Sequence, residues 1–216
     1  MSTPTGRFAR LPTAAVSDAL DALGLPGALH GIGPLINTGR AVGPAFTVRY
    51  EPITDEPGAV GDFLDDVPAG TVVVIDNAGR TDCTVWGGIM TSVAAANRVA
   101  GTVVYGVCRD VATAFDLSYP LFSAGRFMRT GKDRVRCAAL QQPVLISGVT
   151  VAPGDLITAD ADGVVAVGAA HLDCVAELAE HIEHTERRII EAVRAGSTLA
   201  QARADLGYHA LQSSSP

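Results

Sequence analysis

Val16, Ala19, Leu20 and Leu23 fall on one helical face, behind Pro12-Thr13 and ahead of Gly24, and this predicts a first helix over 12 to 23. The chain then passes through Gly27, Gly31, Gly33, Pro34 and Gly39 and reads as loop until Ala45-Phe46-Thr47-Val48, a strand. A short helix is expected around Val60 to Val67. From there the pattern sharpens. Pro68-Ala69-Gly70 is a turn, Thr71 to Ile75 a buried β-branched strand, Ile89 to Arg98 an Ala-rich helix and Thr102 to Tyr105 a second strand. These form a β-α-β unit, whose two strands should run parallel with a right-handed crossover.

Past Arg109-Asp110, residues 111 to 117 read as a short helix and Pro120 to Ser123 as a strand. The segment from Arg134 to Val167 is β in character throughout, punctuated by Gln142-Pro143, Ser147-Gly148, Pro153-Gly154 and Asp162-Gly163. A long helix follows from about Leu172 to Ala195, with Gly196 as its cap, and its apolar stripe Val175, Leu178, Ile182, Ile189, Val193 should face the core. A short amphipathic piece, Leu199 to Leu206, precedes a Ser-rich tail from Gln212 expected to be disordered. The pattern predicts one α/β domain over 1–196 and a C-terminal extension over 197–216.

Composition narrows the class. With 216 residues, 48% of them hydrophobic and 18% charged, the chain can bury a sizeable core. Only 1 Trp, 4 Tyr and 6 Phe contribute aromatic bulk, so Val, Leu, Ile and Ala must fill that core. The net charge of -7 argues against a broad basic face for nucleic acid or anionic lipid. No apolar stretch reaches the ~18 residues of a spanning helix, and Arg7, Arg10, Pro12, Asp18 and Asp21 occupy the place of a secretory apolar block. Cys83, Cys108, Cys137 and Cys174 are widely spaced with no C-x-x-C pair, as expected of reduced thiols in a cytoplasmic protein.

Chemistry concentrates at the ends of the β-α-β strands, where open α/β sheets place their ligands. Val85-Trp86-Gly87-Gly88-Ile89-Met90 opens the helix with two glycines and leaves unpaired N–H groups accessible to an anion. Gly106-Val107-Cys108-Arg109-Asp110 follows the second strand: an arginine suited to a carboxylate or phosphate, and an aspartate that is an oxygen ligand for a hard cation. The plainer readings are a tight turn and a surface ion pair. Other constellations carry less. His181 and His184 with Glu177 and Glu180 read as a solvated helix face, Asp160-Ala161-Asp162-Gly163 as a hairpin turn, and Cys108 as a small buried residue. Arg126, Arg129, Lys132, Arg134 and Arg136 form the basic cluster, either an exposed loop balancing nearby acids or a contact for a substrate's distal carboxylate.

The ordered run of Gly61-Asp62, Pro68 to Asp76, Trp86-Gly87-Gly88, Gly101 to Asp110, Gly148 to Asp155 and Asp162-Gly163-Val164-Val165 resembles the RraA-like family over roughly residues 12 to 196. That family includes class II 4-hydroxy-4-methyl-2-oxoglutarate/4-carboxy-4-hydroxy-2-oxoadipate aldolases and regulators of ribonuclease E activity. The resemblance implies a swivelling β/β/α sandwich with a long C-terminal helix, a homotrimer or homohexamer with sites near subunit interfaces, and Mg²⁺ or Mn²⁺ as cofactor. It places the family's substrate-binding arginine on Arg109, its metal-ligand aspartate on Asp110 and the pyruvate-carboxylate amides on Ile89 and Met90, beside Gly87 and Gly88. At Gly88 the sequence departs from the acidic residue usual in the aldolases, and Asp82 is the candidate replacement.

The function expected is therefore a metal-dependent lyase that cleaves or decarboxylates a pyruvate-containing 2-oxo di- or tricarboxylic acid through a pyruvate enolate. A non-catalytic, protein-binding regulator of the ribonuclease E inhibitor type is the alternative. Lys132 is the chain's single lysine and lies in a polar loop without apolar surround, so a Schiff-base route is disfavoured against a metal route.

Overall fold

The structure is a computed structural model that describes residues 4–35, 39–54, 61–208 and 211. Helices α1 (Pro4–Phe8) and α2 (Thr13–Ala22) lead into strand β1 (Gly33–Pro34) and the long strand β2 (Ala41–Pro52). A 3-10 turn at Asp62–Asp66 precedes β3 (Val72–Thr84), α3 (Gly88–Ala96), β4 (Gly101–Cys108), α4 (Val111–Asp116) and β5 (Leu121–Arg126). Strands β6 (Val135–Leu140), β7 (Val144–Ile146), β8 (Val149–Val151), β9 (Leu156–Asp160) and β10 (Gly163–Val167) follow. Helices α5 (Leu172–Arg194) and α6 (Leu199–Asp205) end the described chain.

Eight strands form one mixed sheet in the order β1-β5-β4-β3-β2-β9-β10, with β6 also paired to β2; β7 and β8 make a separate hairpin. The expected β-α-β unit is present: β3 and β4 are parallel, with Val73 opposite Thr102 and Ile75 opposite Val104. Alternation along these strands feeds two faces of the sheet. Val73, Ile75 and Val104 join the core under α3 and α4 with Trp86 and Tyr119, whereas Val72, Val74 and Val103 pack on the other side with Val144, Ile146 and Val151 of the hairpin. A third cluster joins α1, α2 and α5 to β9 and β10 through Phe8, Val16, Leu20, Val175, Ala179 and Ile182. This α/β architecture with its long C-terminal helix matches the expected fold.

Several elements differ from the sequence reading in extent. Strand β3 runs on to Thr84 rather than stopping at Ile75, because its ladder to β4 resumes at Arg80, after a register shift across Ala78 and Gly79, both at positive φ, and again at Thr84 after a second shift. Helix α1 and the two-residue strand β1 fall in segments without periodicity. On α5 the buried positions are Val175, Ala176, Ala179, Ile182, Thr185 and Ile189, and the stripe leaves the core at Val193, which is exposed. No helix among the described residues is long and apolar enough to cross a membrane. The Ser-rich tail from Gln212 lies outside the described residues.

Candidate functional site

Strands β3, β4 and β5 point their C-terminal ends the same way, and the loops leaving them enclose a cavity of about 500 Å³. Its wall includes every residue picked out by the spacing: Gly87, Gly88, Ile89, Met90, Arg109 and Asp110. It also includes Lys132, one of the five cations offered above as a contact for a substrate's distal carboxylate, and Asp62 and Thr130, which sequence reasoning did not assign to it.

The floor is rigid. Trp86 is 1% exposed, stacks on Tyr119 with ring centroids 6.4 Å apart, and donates its indole N–H to Thr91 Oγ1 at 2.9 Å. The Thr91 hydroxyl in turn donates to the Gly87 carbonyl, and the backbone N–H of Arg109 donates to the Trp86 carbonyl at 3.1 Å. These bonds fix the start of α3 against the end of β4, so two segments more than 20 residues apart hold one geometry.

Asp110 stands at that junction in the left-handed conformation, φ 53° and ψ 39°, at the N-cap position of α4. A non-glycine residue there costs of order 1–3 kcal/mol, a strain that clusters at functional sites. The strained turn aims Asp110 Oδ2 at the backbone N–H of Gly88, which donates at 2.9 Å, and places it 3.5 Å from Arg109 Nε. Asp110 Oδ1 makes no hydrogen bond among the described residues, and the side chain is about half exposed. In α3 the first-turn N–H groups have no intrahelical acceptor; Asp110 takes that of Gly88 and leaves those of Ile89 and Met90 for an anion.

Glycine lets the backbone approach these side chains closely. A Cβ on Gly87 would stand 2.8 Å from Asp110 Oδ2 and 3.2 Å from Arg109 Nε. At Gly88 a Cβ would meet Thr113 Oγ1 at 3.0 Å and Asp110 Cβ at 3.3 Å, so the space of the family's acidic side chain is bounded by Asp110 itself. Asp82 does not replace that acid. Its carboxylate binds Arg80 two residues away at 2.8 Å, the hydrogen bond from Arg80 holds its pKa below the usual carboxylate value, and it is not among the cavity residues. The carboxylate that does join Asp110 at the cavity is Asp62.

The remaining candidates lie elsewhere. Burial pushes the Cys108 thiol up to about 12, against an opposing hydrogen bond with Ser123, so it is no nucleophile at neutral pH. His181 and His184 are exposed on α5, and Glu180 accepts two hydrogen bonds from the Arg7 guanidinium. No group of three or more His, Cys, Asp or Glu is assembled for a metal among the described residues.

Comparison with known proteins places this geometry in context. The protein DlpA of Legionella pneumophila is 44% identical over 199 residues, 91% of this chain but 32% of DlpA, so the chain spans about a third of that relative. A Halalkalibacterium halodurans protein named "Putative 4-hydroxy-4-methyl-2-oxoglutarate aldolase" is 35% identical over 163 residues, covering 74% of each chain. The crystal structure of an uncharacterized protein from Pseudomonas syringae superposes with a TM-score of 0.87 at 48% identity, over 93% of this chain and 96% of that one. The family model described as RraA-like, Aldolase/RraA, matches residues 13–166, from α2 to the last strand and across every cavity residue named above, and the chain belongs to that family.

Proposed function

We propose that the cavity is the active site of a divalent-cation-dependent carbon–carbon lyase. Its substrate is a pyruvate-containing 2-oxo di- or tricarboxylic acid, such as 4-hydroxy-4-methyl-2-oxoglutarate or oxaloacetate, cleaved by retro-aldol reaction or by decarboxylation. The observation that carries this reading is the strained Asp110, which secures the α3 N-terminus and meets Arg109 with one oxygen and keeps the other available.

One available carboxylate oxygen, with Asp62 as a second acid at the same cavity, fits Mg²⁺ or Mn²⁺, which take one or two protein carboxylates and complete their shell with water and substrate. When bound, such an ion supplies Lewis-acid polarisation of the keto group. The protein residues supply the rest. The free N–H groups of Ile89 and Met90 receive the pyruvate carboxylate, and Gly87 and Gly88 let it approach the backbone closely. Both reactions break a bond to C3 and leave its electron pair in a pyruvate enolate. Arg109 faces the negative charge that gathers on the enolate oxygen, a preorganised donor of the kind that lowers a barrier.

The family description joins aldolases with RraA proteins, and a protein-binding regulator is the second reading. A regulator has no use for a strained aspartate with an open oxygen beside an arginine, which supports the enzyme. The discriminating assay is pyruvate release across 4-hydroxy-2-oxo acids and oxaloacetate, with EDTA and with added Mg²⁺ or Mn²⁺. Cation-dependent release is expected; none from any member of the panel contradicts the proposal.

Assembly as a homotrimer or homohexamer belongs to the same proposal. Ile89 is 84% exposed, Phe115 63% and Met128 76%, all on segments that bear or adjoin the site, and such apolar exposure supports a covering subunit. Light scattering should report a trimer or hexamer; a stable 22.2 kDa monomer at micromolar concentration contradicts it.

A further inference from the structure

Pyruvate fills only part of a cavity of about 500 Å³, so the remaining wall must decide what the rest of the substrate is. Of the five cations in the basic cluster, the structure brings one to that wall. Arg136 is held by Glu51 at 2.7 Å, Arg129 lies over the Phe127 ring, and Arg134 turns back to donate to the carbonyls of Thr130 and Lys132. Arg126 lines an adjoining groove with Phe127 and Met128, which meets the cavity at Arg109 and Asp110 but leaves Arg126 off the cavity wall. Lys132 lines the cavity, and its ammonium has no hydrogen-bond or ion-pair partner among the described residues.

Its loop is built to hold that place. Thr130 bridges to Thr84 at the end of β3, and Thr84 N–H donates to the Arg129 carbonyl at 3.0 Å. Gly131 packs so closely on Thr84 that a Cβ would stand 2.5 Å from its carbonyl oxygen and 2.9 Å from Val135 Cγ2. The Lys132 N–H donates to Thr130 Oγ1, and the N–H groups of Arg134 and Val135 donate to the Gly131 carbonyl. An unpaired cation on a pinned loop, facing the same space as the α3 N-terminus and Arg109, provides a second anion contact beyond the pyruvate end.

We infer that Lys132 is a specificity residue that binds the distal carboxylate of the substrate and so selects dicarboxylic over monocarboxylic 2-oxo acids. The inference rests on the lyase reading for the pyruvate end, and it assigns Lys132 an ionic role in place of a covalent one.

A matched pair of ligands isolates it: 2-oxoglutarate, and 2-oxopentanoate, which lacks only the distal carboxylate. Binding of each is read from the fluorescence of Trp86, the chain's one tryptophan, with Mg²⁺ present. The wild type should bind 2-oxoglutarate about tenfold more tightly, Lys132→Ala should abolish the difference, and Lys132→Arg should retain most of it. In turnover of a dicarboxylic substrate, Lys132→Ala should raise KM about tenfold with a much smaller effect on kcat, and Lys132→Arg should restore KM, which a Schiff-base lysine would not allow. Equal binding of the pair by the wild type, or a preference that survives in Lys132→Ala, overturns the assignment. Absence of pyruvate release with the binding preference intact overturns the lyase reading and leaves the role of Lys132 standing.

Discussion

Two helices of this protein begin the same way and serve different ends. At the start of α2, Asp160 from β9 accepts the Thr13 N–H at 2.9 Å through Oδ2 and the Thr13 hydroxyl through Oδ1, which also accepts the N–H of Asp162. At the start of α3, Asp110 from the end of β4 accepts the Gly88 N–H at 2.9 Å through Oδ2 alone. Asp160 sits in regular strand with both oxygens committed, whereas Asp110 sits at φ 53° with one oxygen open. The first aspartate joins two layers of the fold. The second keeps part of its bonding capacity for something outside the chain, at a cost in backbone strain. A cap marks a candidate site when it is strained and incomplete.

Replacing each aspartate separates the two roles. Asp110→Gly removes the open carboxylate but also relieves the left-handed strain, and glycine is a tolerable N-cap. We expect lyase activity to fall about 10³-fold or more while thermal stability is unchanged or higher; steady-state kinetics and calorimetry on the same preparation check both halves. Arg109→Ala should lower kcat/KM about 10²-fold, the scale of losing one donor aimed at developing charge. Wild-type kinetics in a folded Arg109→Ala protein would remove Arg109 from the site.

Gly87→Ala displaces Asp110 Oδ2 and Arg109 Nε without touching the core, so we expect about a tenfold loss in kcat/KM with little change in Tm. Asp160→Ala should do the reverse. It leaves Thr13 unpaired and costs about 1–2 kcal/mol, a Tm drop of roughly 2–8 °C by calorimetry, with kcat/KM within about twofold of wild type. The pH dependence of that stability carries a sign. Burial pushes the Asp160 carboxyl upward, but hydrogen bonds from Thr13 and Asp162 and the charge of Arg40 outweigh it and hold the pKa below the ordinary value. Its contribution is therefore present above the unfolded pKa of about 3.9 and is lost as pH falls through the folded value. The Tm gap between wild type and Asp160→Ala should narrow below about pH 4.

Local pattern made much of this legible. The β-α-β unit, the long C-terminal helix, and the convergence of Gly87–Met90 with Arg109–Asp110 all follow from periodicity and from where parallel strands end. Long-range contacts hid the rest. Lys132 reaches the cavity because Gly131 lies against Thr84, a pairing across 47 positions that no local spacing encodes. The basic cluster was the available signal: it offered a distal-carboxylate contact but not which of its five cations lines the cavity. Asp62 joins Asp110 only through the packing of its 3-10 turn, with Phe63 and Leu64 in the core under α3. Asp82 was the nearer acid in sequence to Gly88, and its bond to Arg80 two residues away took it out of reach.

The central claim is that Asp110 would hold a divalent cation whose Lewis acidity would favour a pyruvate enolate, the intermediate common to both proposed reactions. Exchange of the pyruvate methyl protons with deuterated solvent, followed by proton NMR, reads that step without any commitment to the full substrate. The account predicts exchange by the wild type with Mg²⁺ or Mn²⁺ well above a cation-only blank, lost with EDTA and lost in Asp110→Gly. Exchange no faster than the blank, or exchange that persists in Asp110→Gly or in EDTA, would contradict it.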